Sequence, residues 1–382
     1  MSEFKGFKNS KVYVEGQGII KTSIKVEDGV IKNFDYQEDA IELDSKYIVI
    51  PGFIDRHVHG ANGSDAMYPN LEDIRNIAST IAKEGVATFL PTTMTQTEEN
   101  ITLALKNIRE YIEKENDKGA YALGIHLEGP FISPKFKGAQ VEECIVPCDV
   151  ETFKRYEEAA GGYIKQVSLA YEENGKELSN YLASKNIVAS LGHTDATAKD
   201  VIEGAQNGIT SATHTYNAMK GLHHREAGTV GGVMLCDNIY AELICDLVHV
   251  SSEAIQVLYQ AKGQDKITLI TDGIEAKHLP DGKYQLGGQD VFVKGKEARL
   301  ASGTLAGSTL KMNDAVRNAQ EVLNLTIEKA VDLATINPAR VLKVDDKKGS
   351  IAVSKDADFA VIDKDFNVYM TVVKGKVVYN VL

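Results

Sequence analysis

Along the first fifty residues, apolar and polar positions alternate with a period of two in KVYVEG, TSIKVEDGVIKNF and IELDSKYIVI, and Asp28-Gly29 supplies a two-residue hairpin turn. The pattern returns at the other end in GSIAVSKDADFAVID and VYMTVVKGKVVYN, the second turning at Lys374-Gly375. Neither end is large enough to fold alone. They are therefore expected to pair into one small discontinuous β-sandwich domain, residues 1–52 and 343–382. Between them lie eight short apolar runs, FIDRHVH, ATFLPT, YALGIHLEG, IKQVSLA, IVASLGH, SATHTY, YAELICD and ITLITD. Each reads as a buried parallel strand. Helical spacing separates most of them, most clearly at Leu71, Ile74, Ile77, Ala78 and Ile81. Eight strands alternating with helices over about 250 residues is the size of a (β/α)₈ barrel. The fold class is thus α/β, with a TIM-like barrel over 53–342 and an open doubly wound sheet as the alternative. Residues 278–302, HLPDGKYQLGGQDVFVKGKEARLAS, read as a β-hairpin inserted after the eighth strand.

Composition narrows the function classes. The chain has 382 residues, long for one domain, and carries 42 Lys+Arg against 54 Asp+Glu, a net charge of -12. That field repels a phosphate backbone, which argues against nucleic acid; an anionic substrate would need local cations. The start, MSEFKGFKNSKVYVEG, has no apolar leader core, and no run is long and apolar enough for a membrane span. A soluble cytoplasmic protein is the expectation. Cys144, Cys148, Cys236 and Cys245 form neither a C-x-x-C knuckle nor a disulfide framework.

Metal-binding residue types fall at the carboxyl ends of the predicted strands. His57 and His59 end the first, Glu128 the third, His193 the fifth, His214 the sixth and Asp272 the eighth. Strand ends converge on one volume only at that face of a barrel. His57 and His59 are two apart, so both side chains point the same way and can grip one ion. Imidazole and carboxylate are ligands accepted by zinc and iron. Any one of these residues is more often structural; their joint register is what carries the reading. The charged runs Lys347-Lys348 and Glu172-Glu173 read as solvated surface, and Asn337-Pro338-Ala339-Arg340 as a helix cap.

PGFIDRHVHG (51–60), HLEGPF (126–131), LGHTDA (191–196), THTYNAM (213–219) and ITDGIEA (270–276) together resemble the N-acetylglucosamine-6-phosphate deacetylases of the amidohydrolase superfamily, along nearly the whole chain. HLEGPF is the sharper motif: its Glu stands where many superfamily relatives have a modified, metal-bridging lysine. The resemblance implies a divalent metal, one or two ions per subunit, zinc or iron first and manganese or cobalt next. Glu128, His193 and His214 would hold the catalytic ion; His57 and His59 would either hold a second one bridged by Glu128 or be structural histidines. Asp272 would be general base and then acid, a metal ligand, or both in turn. His249 would hydrogen-bond the sugar or the developing oxyanion. Ala139, Asn217, Ala218, Leu305, Ala306 and Gly307 would contact a phosphorylated amino sugar. Arg225, beside His223 and His224, would reach a neighbouring subunit's phosphate site, which implies a homodimer. The alternatives are a deacetylase for N-acetylgalactosamine 6-phosphate, another amidohydrolase, and a non-catalytic barrel that binds a sugar phosphate.

Overall fold

Strands from both ends of the chain share one eight-stranded sheet, in the order Lys376–Asn380, Val368–Val373, Phe359–Ile362, Ile48–Pro51, Gly6–Val14, Gly18–Glu27, Val30–Asn33, with Ile41–Glu42 added along Gly6–Val14. The structure, a computed structural model, describes residues 4–114, 116 and 118–382, so positions 1–3 of the expected small domain and leader-free start lie outside the described residues. Asp28 and Gly29 have φ of 52° and 75°, and Lys374 and Gly375 have φ of 45° and 73°. Two successive positive φ values make the type I′ turn that suits strand twist. A Cβ on Gly29 would sit 2.6 Å from the Lys374 carbonyl oxygen. Only glycine lets these two turns touch. The pairing is one hydrogen-bonded sheet whose turns at Gly29 and Lys374 touch, with a core of Phe7, Val12, Ile24, Val49, Phe359 and Val372. Lys348, expected at the surface, is buried between Asp356 (2.8 Å) and Asp358 (2.6 Å). Two carboxylates offset its desolvation, which a run of charges in sequence does not reveal.

Ile48–Pro51 leads almost directly into the first of two parallel sheets, formed by Phe53–Val58, Val86–Pro91 and Tyr121–Ala122. The second takes Ile125–Glu128, Ile164–Leu169, Val188–Leu191, Ile209–Ala212, Tyr240–Ile244 and Ile267–Ile270 in chain order, all parallel. Isolated parallel bridges join the sheets at both seams, Thr92 to His126 and Val58 to Gly273. Across the second seam the Asp272 N–H donates to the His57 carbonyl at 2.9 Å. The first and last strands are therefore neighbours. Helices fill most connections, and Leu71–Ile81 buries Ile74, Ile77, Ala78 and Ile81 at the predicted spacing. Among the described residues no helix is long and apolar enough to cross a membrane.

Three elements differ from the sequence reading. The run YALGIHLEG forms two strands, Tyr121–Ala122 and Ile125–Glu128, in different sheets. The strand read in SATHTY is Ile209–Ala212, and His214 lies two residues beyond it, as His193 and Asp272 lie two beyond Val188–Leu191 and Ile267–Ile270. Side chains tie the residues that follow: Thr213 Oγ1 meets Ser168 Oγ and Ser190 Oγ at 2.7 Å each, and the His214 N–H donates to Glu242 at 3.0 Å. The insertion is a three-stranded antiparallel sheet, Gly282–Leu286, Gln289–Lys294 and Glu297–Leu300, not a hairpin. A second turn at Gly295 (φ 61°) returns a third strand too short and charged to register as one.

Candidate metal centre and active site

Five of the six strand-end candidates line one cleft of about 490 Å³: His59, Glu128, His193, His214 and Asp272. His57 lies beneath, fully buried. Two donor sets meet there, His57 with His59 and Glu128, and Glu128 with His193 and His214. Glu128 belongs to both. The Nε2 atoms of His57 and His59 are 3.3 Å apart, and those of His193 and His214 3.1 Å. Glu128 Oε1 is 3.4 Å from His193 Nε2 and 3.2 Å from His214 Nε2, while Oε2 is 3.2 Å from His59 Nε2. Asp272 Oδ1 lies 3.4 and 3.2 Å from the Nε2 atoms of His57 and His59. Ligands about 2.0–2.1 Å from a central ion in tetrahedral arrangement stand about 3.3 Å apart, the spacing seen here.

The remaining ring nitrogens explain why the lone pairs converge. Each Nδ1 faces an acceptor: Glu242 Oε2 for His57 (3.1 Å), the Thr92 carbonyl for His59 (3.2 Å), the Phe136 carbonyl for His193 (3.0 Å) and the Asn217 carbonyl for His214 (3.1 Å). With Nδ1–H donating outward, the neutral ring is left with Nε2 as its inward lone pair. Such lone pairs in van der Waals contact are favourable only around positive charge. Glu128 Oε1 is buried with no hydrogen-bond partner among the described residues. Orphaned buried carboxylate oxygens are costly, and the donor set fits a divalent cation that would satisfy this one. His193, His214 and Asp272 adopt φ of 47°, 29° and 50°. Non-glycine residues rarely enter that left-handed region, and three at one site mark stored strain.

Electrostatics point the same way. Burial opposes charge on His59, yet its bonds to Asp272 and Glu128 push its pKa up to about 9, and the charges of Glu128 and Asp272 raise His57 against burial likewise. Burial would raise Glu128 and Asp272, but His57 foremost holds both below the usual carboxylate range. Glu128 and Asp272 therefore stay ionised beside the rings.

Supporting residues that sequence reasoning missed surround it. Gln140 donates to Glu128 Oε2 at 3.0 Å. Glu172, expected as solvated surface, is bound by Thr194 Oγ1 and the Asp195 N–H, fixing the loop after His193. Glu242 is fully buried; burial would raise its pKa, but Arg56 and His57 hold it far below the carboxylate range. Arg56 in turn meets Glu242 (3.1 Å), Gln166 (2.7 Å) and Ser211 (2.9 Å). A charged residue inside an otherwise apolar run, Arg56 in FIDRHVH and Glu242 in YAELICD, was the signal available. Arg56→Met strands Glu242 without its cation and is expected to lower unfolding stability by about 3–5 kcal/mol, read by urea denaturation. An unchanged midpoint and slope would show that Glu242 does not depend on it.

The cleft also takes in Ala139, Asn217, Ala218, His249, Leu305 and Gly307. Ala306, between two of them, is fully buried and packs with Ile274 and Val291. His249 Nδ1 meets Asp246 Oδ2 at 2.6 Å, and the N–H groups of Val248 and His249 both donate to Asp246 Oδ1 at 2.8 Å. The ring is thereby fixed against the cleft wall. Arg225 is not brought to the cleft of its own chain: it is exposed in the turn after His223, with Nη1 2.7 Å from His224 Nε2. Asn337 is buried and donates to the Gln264 and Ile267 carbonyls, a structural role.

The strands that carry these histidines and acids fall within the span matched by a family model. The chain belongs to the amidohydrolase family, which matches residues 48–378. It is 40% identical over 388 residues to the N-acetylglucosamine-6-phosphate deacetylase of Bacillus subtilis, covering 99% of this chain and 98% of the relative. It is 34% identical to an N-acetylgalactosamine-6-phosphate deacetylase of Escherichia coli O157:H7, covering 92% and 93%. Among solved structures, a mutant N-acetyl-D-glucosamine-6-phosphate deacetylase from Mycobacterium smegmatis in complex with N-acetyl-D-glucosamine-6-phosphate superposes with a TM-score of 0.91 at 26% identity, covering 100% of both chains.

Proposed function

We propose that the chain hydrolyses the acetamide of N-acetyl-D-glucosamine 6-phosphate to D-glucosamine 6-phosphate and acetate. The supporting observation is the pair of donor sets sharing Glu128 beside Asp272 on the floor of one cleft. The reading places this site on a cytoplasmic (β/α)₈ barrel, 53–342, with 1–52 and 343–382 as the small domain. Glu128, His193 and His214 would hold one divalent ion, and His57 and His59 with Glu128 could take a second, zinc or iron first, manganese or cobalt next. A bound divalent ion supplies Lewis acidity toward the acetamide oxygen and lowers the pKa of nearby water. Asp272 accepts a proton from the water whose oxygen bonds to the carbonyl carbon. It then returns that proton to the amine nitrogen as the C–N bond breaks. His249, oriented by Asp246, hydrogen-bonds the sugar or the oxygen that gains charge. Asn217, Ala218, Ala139 and the 305–307 segment frame the sugar. Arg225, exposed and outside its own cleft, reaches the phosphate bound by a neighbouring copy in a homodimer.

The Escherichia coli relative favours a second reading, the galactosamine epimer as substrate. Acetate release from gluco and galacto sugars, each with and without the 6-phosphate, separates the readings. Preference for the phosphorylated gluco sugar is expected; equal turnover without phosphate defeats the proposal. Chelation is expected to abolish turnover, and return of single metals to restore it. Full activity after complete metal removal would sink the metal-dependent reading.

A further inference from the structure

Behind His57 the facing strands carry polar side chains where branched apolar ones ordinarily fill the interior of a parallel barrel. Arg56, Gln166, Ser211, Glu242 and Thr268 come from five different strands and are all fully buried. Glu242 faces four donors among these and the metal-site residues. Its Oε1 accepts from Gln166 Nε2 at 2.7 Å and lies 3.1 Å from Arg56 Nη1. Its Oε2 lies 3.1 Å from His57 Nδ1 and accepts the His214 N–H at 3.0 Å. His57 belongs to one donor set and His214 to the other. A single oxygen, itself outside both sets, therefore contacts a ligand residue of each. The main chain adds to this hold, because the Glu242 carbonyl accepts the Thr215 N–H at 2.9 Å. His214, with φ of 29°, is thus pinned on both sides of its left-handed turn.

We propose that Glu242 is a positioning residue on which both donor sets depend, aiming the His57 ring through Nδ1 and holding the His214 turn through its N–H. The inference rests on the metal-dependent reading above. All four neighbours present N–H groups, and a carboxylate accepts at both oxygens. An amide in its place must turn its own NH₂ toward donors on one side. Turned toward His57, it demands a proton-free Nδ1. The proton of the neutral ring then moves to Nε2 and closes the lone pair that faces His59 and Glu128. Turned toward Arg56, the amide meets a guanidinium that has no acceptor to offer. Replacing Arg56 as well removes the second conflict. The amide then gives its NH₂ to Gln166 Oε1, which Arg56 otherwise occupies at 2.7 Å, and presents its oxygen to His57 and His214. Leucine at 242 offers an acceptor in neither direction.

The test measures zinc uptake by dialysis against a competing chelator, followed by elemental analysis. It compares the wild-type protein with Glu242→Gln, Arg56→Met/Glu242→Leu and Arg56→Met/Glu242→Gln. Both double variants remove the whole ion pair and strand no charge, so that loss is common to them. They differ in the acceptor. The leucine double variant is expected to bind both ions about 10–100-fold more weakly than wild type, and Glu242→Gln to lose as much at the His57 and His59 set. The glutamine double variant should recover most of the loss. Its metal-free form should unfold in urea no later than that of the leucine double variant, which separates the aim of the ligands from the stability of the fold. Zinc affinities that agree within twofold between the two double variants overturn the proposal. Glu242→Gln holding both ions at wild-type affinity overturns it even where neither double variant folds. A wild-type chain that takes up only one ion overturns the dependence of two sets on one oxygen, and one that takes up none overturns the metal-dependent reading instead.

Discussion

Asp272→Asn is expected to lower kcat for deacetylation by about 10²–10⁴-fold while binding of the phosphorylated sugar stays measurable by calorimetry. Asparagine keeps the shape and an oxygen near His57 and His59, whose Nε2 atoms lie 3.4 and 3.2 Å from Asp272 Oδ1, but it cannot accept the proton of the attacking water. Backbone contacts should survive, since the Asp272 N–H and carbonyl are tied to His57 and Ser308. Metal content measured on the same variant separates the two roles. Retained metal with lost turnover identifies the proton carrier, whereas parallel loss of both identifies a ligand. Turnover near the wild-type rate would end the assignment of base.

Glu128→Ala should remove both donor sets at once, because each contains that carboxylate. Elemental analysis of the purified variant is expected to show nearly all bound metal gone, with acetate release falling below detection. His59→Ala is the informative contrast, since it breaks one set and leaves Glu128, His193 and His214 intact. It should lose no more than one ion. A Glu128→Ala protein that still carries stoichiometric metal would show that the carboxylate is not the shared ligand.

The order of parallel strands was legible because each run is short, apolar and bounded by turn residues, and the six strand-end candidates were legible because they interrupt or terminate those runs. What escaped has physical causes. The sixth strand ends at Ala212, and the bonds that hold the residues after it, between Thr213 and Ser168 or Ser190 and between His214 and Glu242, involve other strands, so no local pattern records them. Lys348 and Glu172 read as surface because burial of a charge depends on partners, here Asp356 and Asp358 in one case and Thr194 and Asp195 in the other. Gln140 carried no signal at all: an amide in a loop acquires a role only when folding sets it 3.0 Å from Glu128. The six candidates were found by residue type; their Nδ1 partners, mostly backbone carbonyls, have no side-chain signature in sequence.

The sheet that unites the chain ends has a consequence for biosynthesis. Val49 hydrogen-bonds in register with Val361, and Ile48–Pro51 feeds straight into the strand carrying His57. At ribosomal rates of about 5–20 residues per second, the early strand waits roughly fifteen seconds to a minute for its partner to emerge. Its unpaired edge is exposed throughout that interval. Nascent chains should therefore depend on chaperones more than the finished protein does, and the anchoring of the first histidine pair should be among the last events of maturation.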